Sequence, residues 1–342
     1  MDVFLTSPWI PAEWIRAHGL QPRGIGSEEN FQSGGWPLGA GECAFAEAAV
    51  RFAEARADCA VIFATSCDQL RRGFDAAVLG GQRQVFLFNL PATWQTAAAG
   101  QMFRSELERL GQFLLTIGGR PPTGDELRQE MVRCSETRRR LLDSASCSSA
   151  RAFAGALAQF HWDGSFSPAL TVAPTTQIPL ALLGGPFLAP HWKWLDEVEA
   201  AGGRIALNAT EWGERSLSPA FAFEPGACDG AAPPKFAHSP ARRSGERGFP
   251  FAALVGGYCE NMIDAFQRPN TRLYSWLKPR LASRKVRGIV LWLFAGCDLW
   301  RAEAQTLRDS FGLPVLLLEA GAEPGAAPRD LNRLQAFVEM FR

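Results

Sequence analysis

The chain has 342 residues, 47% hydrophobic and 20% charged, and its 35 Lys and Arg balance 35 Asp and Glu. That length exceeds one ordinary hydrophobic core, so two domains are expected. The charge balance gives no electrostatic case for nucleic acid or an anionic membrane as partner, and no apolar run reaches the roughly 18 residues of a membrane span. The opening MDVFLTSPWIPAEW lacks the basic start and long apolar centre of a secretory signal. A cytoplasmic location is expected, where the eight cysteines stay reduced as structural, catalytic or metal-binding thiols.

Val3 to Ser7 reads as a short apolar strand, broken by Pro8. Pro11-Ala12-Glu13 opens a helix through His18, with Gly19 as its C-cap. Ser27 to Gly41 is Gly-rich and polar, hence a loop. A helix over Glu42 to Arg56 sets Phe45, Ala49, Phe52 and Ala53 on one face. The strand Ala60 to Ala64 ends in Thr65-Ser66-Cys67-Asp68, and a helix leaves from Gln69. The strand Gln84 to Asn89 stops before Pro91. Helical spacing runs from Trp94 to Leu115. Thr123 and Glu126 then match a capping box for a helix to Leu142, and Ser148 to Phe160 is another helix. Asp163 to Pro179 is polar and Pro-rich and reads as the linker, giving domains 1–165 and 166–342.

The second half begins with a strand at Leu180 to Leu183, followed by Gly184-Gly185-Pro186, a helix from His191 to Ala200 and a strand at Ile205 to Asn208. Phe221 to Gly248 reads as an irregular excursion. Helices near Gly257 to Phe266 and Thr271 to Leu281 precede a strand at Gly288 to Phe294. A helix from Cys297 to Phe311, a strand at Pro314 to Glu319 and a helix from Arg329 to Phe341 close the chain. Alternation of strand and helix in both halves predicts an α/β fold of two Rossmann-like parallel-sheet domains with added helices.

Two stretches carry the same plan. CAVIFATSCDQLRRGFD and GIVLWLFAGCDLWR each run an apolar strand into small residues, then Cys-Asp, then a helix. Parallel α/β sheets place their chemistry at such strand ends. Cys43 starts the helix that feeds the first of these strands, where free N–H groups and the helix dipole favour a thiolate. Three thiols from Cys43, Cys67 and Cys297 suit an iron–sulfur cluster or a zinc ion with one open position. The spacing is not the compact C-x-x-C kind, and three buried core thiols are the plain alternative.

TSPWIPAEWIRAHGLQPRGI resembles the opening of the 2-hydroxyacyl-CoA dehydratase family, in its 2-hydroxyglutaryl-CoA dehydratase D-component type; the family also contains the benzoyl-CoA reductase subunits. ECAFAEAAV, FATSCDQLRRGFD and GIVLWLFAGCDLWRAEAQTLRDSFGLPVLLLEAG resemble its three cysteine motifs. VFLFNLPAT, GGRPPTGDELRQEMVRCSETRRRLLD, LLGGPFLAPHW, GGRIALNATEWGERS and RDLNRLQAFVEMF are similar to its other segments, in the same order. The resemblance implies that Cys43, Cys67 and Cys297 ligate a 4Fe-4S cluster at the domain junction, with one iron open to water or substrate oxygen. It implies radical loss of water from a (R)-2-hydroxyacyl-CoA, after an ATP-dependent iron–sulfur activator protein injects one electron. The partners implied are that activator, a related second subunit in a hetero- or homodimer, and the acyl-CoA. A benzoyl-CoA reductase-type subunit and a non-catalytic electron-transfer or assembly subunit are the alternatives. No G-x-x-x-x-G-K-[ST] occurs, so the ATP step is assigned to another protein.

Other residues have plain readings beside functional ones. Glu211 is a candidate proton carrier and Arg215 a candidate carboxylate or phosphate partner; both also read as surface residues. Arg71 and Arg72 suit CoA phosphates or a solvated helix face. Gly184 and Gly185 suit a phosphate cradle or a tight turn. Asp68 and Asp298 read as helix caps. Cys59, Cys134, Cys147, Cys228 and Cys259 read as structural thiols, with Cys259 in reserve for Cys43. His18, His161, His191 and His238 share no metal spacing.

Overall fold

The structure is a computed structural model that describes residues 1–27, 43–56, 58–146, 148–167, 177–221, 248–320 and 328–342. Two runs dictate the architecture. Ala60–Ala64 (β3) and Gly288–Phe294 (β7) are apolar and buried at every position. Strands buried on both faces belong at the centre of parallel sheets covered by helices. Burying one large apolar side chain stabilises by about 1.5–3 kcal/mol, so the Ile, Val, Leu, Trp and Phe side chains of β7 anchor their sheet.

β3 pairs in parallel with Asp2–Leu5 (β1) and with Val85–Phe88 (β4), and β1 pairs with Gln21–Gly24 (β2). β7 pairs in parallel with Ile178–Gly184 (β5) and Val315–Ala320 (β8), and β5 pairs with Gly203–Ala209 (β6). The strand orders are β2-β1-β3-β4 and β6-β5-β7-β8. Both sheets therefore share one topology, reversing direction between their first and third strands. Sequence reading did not predict β2. Its Pro22 and Gly24 disfavour a central strand, but an edge strand tolerates them.

The helices are Ala12–Ala17 (α1), Ala44–Ala55 (α2), Asp68–Leu79 (α3), Ala97–Thr116 (α4), Gly124–Ser144 (α5), Ala150–Asp163 (α6), Lys193–Ala200 (α7), Gly248–Asn261 (α8), Thr271–Ser283 (α9), Asp298–Phe311 (α10) and Pro328–Glu339 (α11). The expected capping box forms at α5: Thr123 Oγ1 accepts from Glu126 N at 3.2 Å, and Glu126 Oε2 accepts from Thr123 N at 2.8 Å. The helix expected near Gly257 to Phe266 is instead α8, which begins at Gly248 and ends at Asn261. Most of the expected excursion after Phe221 lies outside the described residues, as do Ser27 to Gly41 beyond Ser27 and much of the expected linker.

α8 belongs in sequence to the second half but packs among helices of the first. Its Tyr258 hydroxyl donates to Glu13 of α1 at 2.8 Å, Tyr258 stacks on Phe103 of α4 at 6.3 Å, and Phe251 lies 4.9 Å from Trp14. No described helix is long and apolar enough to cross a membrane.

Gly184, the last residue of β5, has φ +136°, and a Cβ there would sit 1.8 Å from the Trp292 carbonyl oxygen. The sheet backbone cannot yield that space. Gly184→Ala is expected to lose about 3 kcal/mol or more, or to prevent folding. Gly81→Ala, at φ +89° with nothing within 4 Å, pays only left-handed strain of about 1–2 kcal/mol. Chemical denaturation of both variants checks the contrast.

Candidate functional site

Each sheet opens a crevice at its switch point, between the carboxyl ends of β1 and β3 and of β5 and β7. Cys67 follows β3 and is the N-cap of α3; its Sγ accepts from Leu70 N at 3.5 Å. Cys297 follows β7 and is the N-cap of α10, and Cys43 is the N-cap of α2. All three candidate thiols thus sit at helix starts, where unpaired amides and the helix dipole favour sulfur's anionic form. The Ala46 and Phe45 amides act on Cys43 in that sense, and the Trp300 amide on Cys297.

Burial works against ionisation and wins. It raises the Cys43 thiol, and pushes Cys67 to about 12 and Cys297 to about 11. The charges acting to raise Cys67 come from Cys43, Glu211 and Cys297; those on Cys297 come from Cys43, Asp264 and Glu211. The three sulfurs therefore lie within electrostatic reach of one another and of Glu211. With burial as the main cause and acidic groups rather than cations acting on them, they are protonated thiols at neutral pH, not free nucleophiles. Positive charge from a bound metal group is what would turn them into thiolates. Among the described residues no three Cys, His, Asp or Glu side chains close round a single metal-ion position.

A buried polar seam joins the strand ends of the two halves. Ser7, just past β1, donates to Glu211 Oε1 at 2.8 Å. Trp9 Nε1 donates to Asp264 Oδ2 at 3.2 Å, and that carboxylate pairs with Arg215 at 2.7 Å. Phe45 of α2 stacks on Phe294 of β7 at 6.0 Å. Burial, then the charge of Asp264, raises the Glu211 carboxyl to about 8, against the lowering influence of Ser7 and Arg215. Glu211 is a buried acid beside three thiols, not a surface residue.

Arg215 is fully buried. It donates to the carbonyl oxygens of Ala209 at 2.7 Å, Ile263 at 2.9 Å and Gly184 at 2.5 Å, and lies 4.7 Å over the Trp300 ring. Its guanidinium braces the site from within. The turn after β5 is likewise engaged: Gly185 N donates to Trp292 O at 3.1 Å and Gly185 O accepts from Glu211 N at 3.3 Å. Arg71 and Arg72 are exposed on α3, with Arg71 3.6 Å from Asp68. Cys59, Cys134 and Cys259 are buried free thiols. Cys147, Cys228 and His238 lie outside the described residues.

Sequence reasoning missed Ser7, Trp9, Asp264 and His191 as neighbours of the site. Ser7 and Trp9 stand inside the opening motif, a signal available but unweighted; Asp264 carries no local signal. His191 is buried against Phe187, Trp292 and Phe294, and neither ring nitrogen has a hydrogen-bond partner among the described residues.

The family model described as HGD-D, 2-hydroxyglutaryl-CoA dehydratase, D-component, matches residues 9–341. A search of curated proteins finds no match.

The raised Glu211 carboxyl has a stability consequence. Between about pH 4.5 and 8 the folded chain keeps a proton there that the unfolded chain releases, so stability falls as pH rises through that window. Glu211→Gln removes this contribution. Its stability relative to wild type is expected to rise from about pH 5 to 8 and to stay constant below about pH 4.5. Denaturant titrations across that range check the sign.

Proposed function

The chain belongs to the 2-hydroxyglutaryl-CoA dehydratase D-component family, and from that membership we propose that it is the iron–sulfur subunit of a (R)-2-hydroxyacyl-CoA dehydratase-like enzyme. In this reading Cys43, Cys67 and Cys297 hold a 4Fe-4S cluster, and the chain works with a related second subunit, an ATP-dependent iron–sulfur activator and an acyl-CoA substrate. One observation carries the proposal: three thiols from separate helix N-caps lie within electrostatic reach of one another. A soft, all-sulfur donor set suits iron–sulfur chemistry.

When bound, the cluster would supply one-electron chemistry at the substrate thioester. The chain's own residues prepare the surroundings. Phe45 and Phe294 wall the site against water, and the amides at the three helix starts offer hydrogen bonds to sulfur. Glu211 holds a proton at neutral pH and Ser7 fixes its carboxyl. That proton is available to a departing hydroxyl, which then leaves as water. Arg215 holds the β5 turn and the Trp300 end of α10 in register.

A relay role within the same assembly has one observation in its favour. Two of the cavities near the junction, among the described residues, leave about 30 Å³ and about 20 Å³ for the centres of water-sized molecules. The larger space of about 230 Å³ lies between α7 and α11, lined by Glu197, Leu331 and Arg342. A partner subunit would then contribute much of the thioester pocket.

Iron and acid-labile sulfide are to be measured in protein purified without oxygen, with its partner present. About four of each per chain are expected, lost when Cys43, Cys67 or Cys297 is changed to Ser. Absence of both after reconstitution would sink the proposal. Given a cluster, a spectral change on adding 2-hydroxyacyl-CoA supports substrate binding, and an unchanged spectrum supports the relay role.

A further inference from the structure

Each sheet ends in two outer strands, β2 and β4 in one and β6 and β8 in the other. An outer strand turns alternate residues away from its neighbour, and their N–H and C=O groups are a template on which another chain can add a strand. In β4 the Gln84 and Phe88 carbonyls accept from Val61 N and Thr65 N at 2.9 Å and 3.0 Å, so Val85, Leu87 and Asn89 face outward.

Two of these edges carry the same arrangement. At β4, Arg109 Nη2 donates to Leu87 O, Glu106 Oε2 accepts from Asn89 N at 2.9 Å, and the two side chains pair at 2.6 Å. At β6, Arg284 Nη1 donates to Ala206 O at 2.8 Å, Glu214 Oε1 accepts from Asn208 N at 3.2 Å, and the two side chains pair at 2.5 Å. In both, an Arg–Glu pair takes the carbonyl of one residue and the N–H two residues on. A parallel neighbour strand makes that pattern with the C=O and N–H of a single residue. The ion pair thus stands where one residue of a further strand would be. Glu106 and Arg109 lie on α4, whereas Arg284 follows α9 and Glu214 follows β6, so different elements reach the same geometry.

The other two edges are blocked in other ways. Gln21 N donates to Met1 O at 3.1 Å, which turns Pro22 outward, and proline has no N–H to offer. At β8, Arg308 Nη2 donates to Val315 O at 3.2 Å and Arg333 Nη2 to Leu317 O at 2.7 Å. An added strand would run about 4.7–4.9 Å from the edge, and a guanidinium bonded to an outward carbonyl stands in that lane.

We propose that the Glu106–Arg109 and Glu214–Arg284 pairs are strand mimics that close the two sheets, so that this chain meets a second subunit, or a second copy of itself, through helices and turns and not by sheet extension. The second subunit comes from the proposed function; the closure of the edges does not depend on it. Both mimics also pin turns that border the candidate site. Leu90, after Asn89, donates its N–H at 2.9 Å to the hydroxyl of Thr65, two residues before Cys67, and Glu214 is three residues past Glu211.

Amide hydrogen exchange of the full chain tests the mimics. The Asn89 and Asn208 amides are expected to exchange at least about tenfold more slowly than the Leu87 amide, which faces outward with no acceptor among the described residues. Glu106→Ala is expected to speed Asn89 by about tenfold or more, and Glu106→Gln, which keeps an acceptor oxygen, by far less. Exchange at Asn89 as fast as at Leu87, or Glu106→Gln as damaging as Glu106→Ala, overturns the mimicry. The double variant Glu106→Ala/Arg109→Ala opens the β4 edge, and its mass by light scattering is expected to rise with concentration beyond that of wild type; equal masses overturn the blocking role. Should that variant not fold, Arg333→Ala at β8 gives the same reading. With the second subunit bound, the Leu87 amide is expected to stay unprotected, and its protection in the complex would mean strand addition and overturn the proposal. If no complex forms, the second-subunit reading fails, while the measurements on the chain alone still decide the edges.

Discussion

Everything at the junction depends on a desolvated seam in which each of these buried polar or charged groups has its partner. Glu211 meets Ser7, Asp264 meets Trp9 and Arg215, and Arg215 meets three carbonyl oxygens. Such pairs contribute little net stability over apolar packing, but removing one partner strands the other and costs about 3–5 kcal/mol. The seam therefore acts through specificity. The docking of the two sheets that satisfies these groups also brings Cys43, Cys67 and Cys297 within electrostatic reach of one another. The same dryness that makes the seam exacting keeps the thiols protonated and Glu211 an acid.

The parts legible in the sequence were those fixed locally. β3 and β7 were readable because an unbroken apolar run admits few other structures, and the Thr123–Glu126 box because its chemistry spans three residues. Cysteines at strand ends were readable for the same reason. Ser7 and Glu211 stand 204 positions apart, and nothing near either announces the other. Arg215 read as a surface cation because its acceptors are backbone carbonyls, which carry no residue signature. β2 was hidden by Pro22 and Gly24, which are acceptable only at an edge. Gly24 is further constrained by Trp212, whose ring would lie 2.7 Å from a Cβ there.

The shared strand order gives Cys67 and Cys297 equivalent stations, each after the third strand of its sheet. Equivalence ends with the groups around them. After β1 comes a serine that donates to a carboxylate; after β5 comes a Gly-Gly turn pressed on Trp292 and braced by arginine. Cys43 has no counterpart in this scheme, since it enters from α2 rather than from a strand. A doubled scaffold has thus been made one-sided by the turns at its strand ends, where α/β folds diversify their chemistry.

The placement of α8 has a mechanical consequence. By crossing to pack on α1 and α4 through Tyr258 and Phe251, it works as a strap across the two halves. Hinge opening of the sheets would have to peel that helix from its apolar seat and expose the Glu13–Arg138 pair. Wide clamshell motion is therefore disfavoured. Of the three candidate thiols only Cys43 is buried, while Cys67 and Cys297 are partly exposed at the strand ends, so reaching them does not require the domains to part.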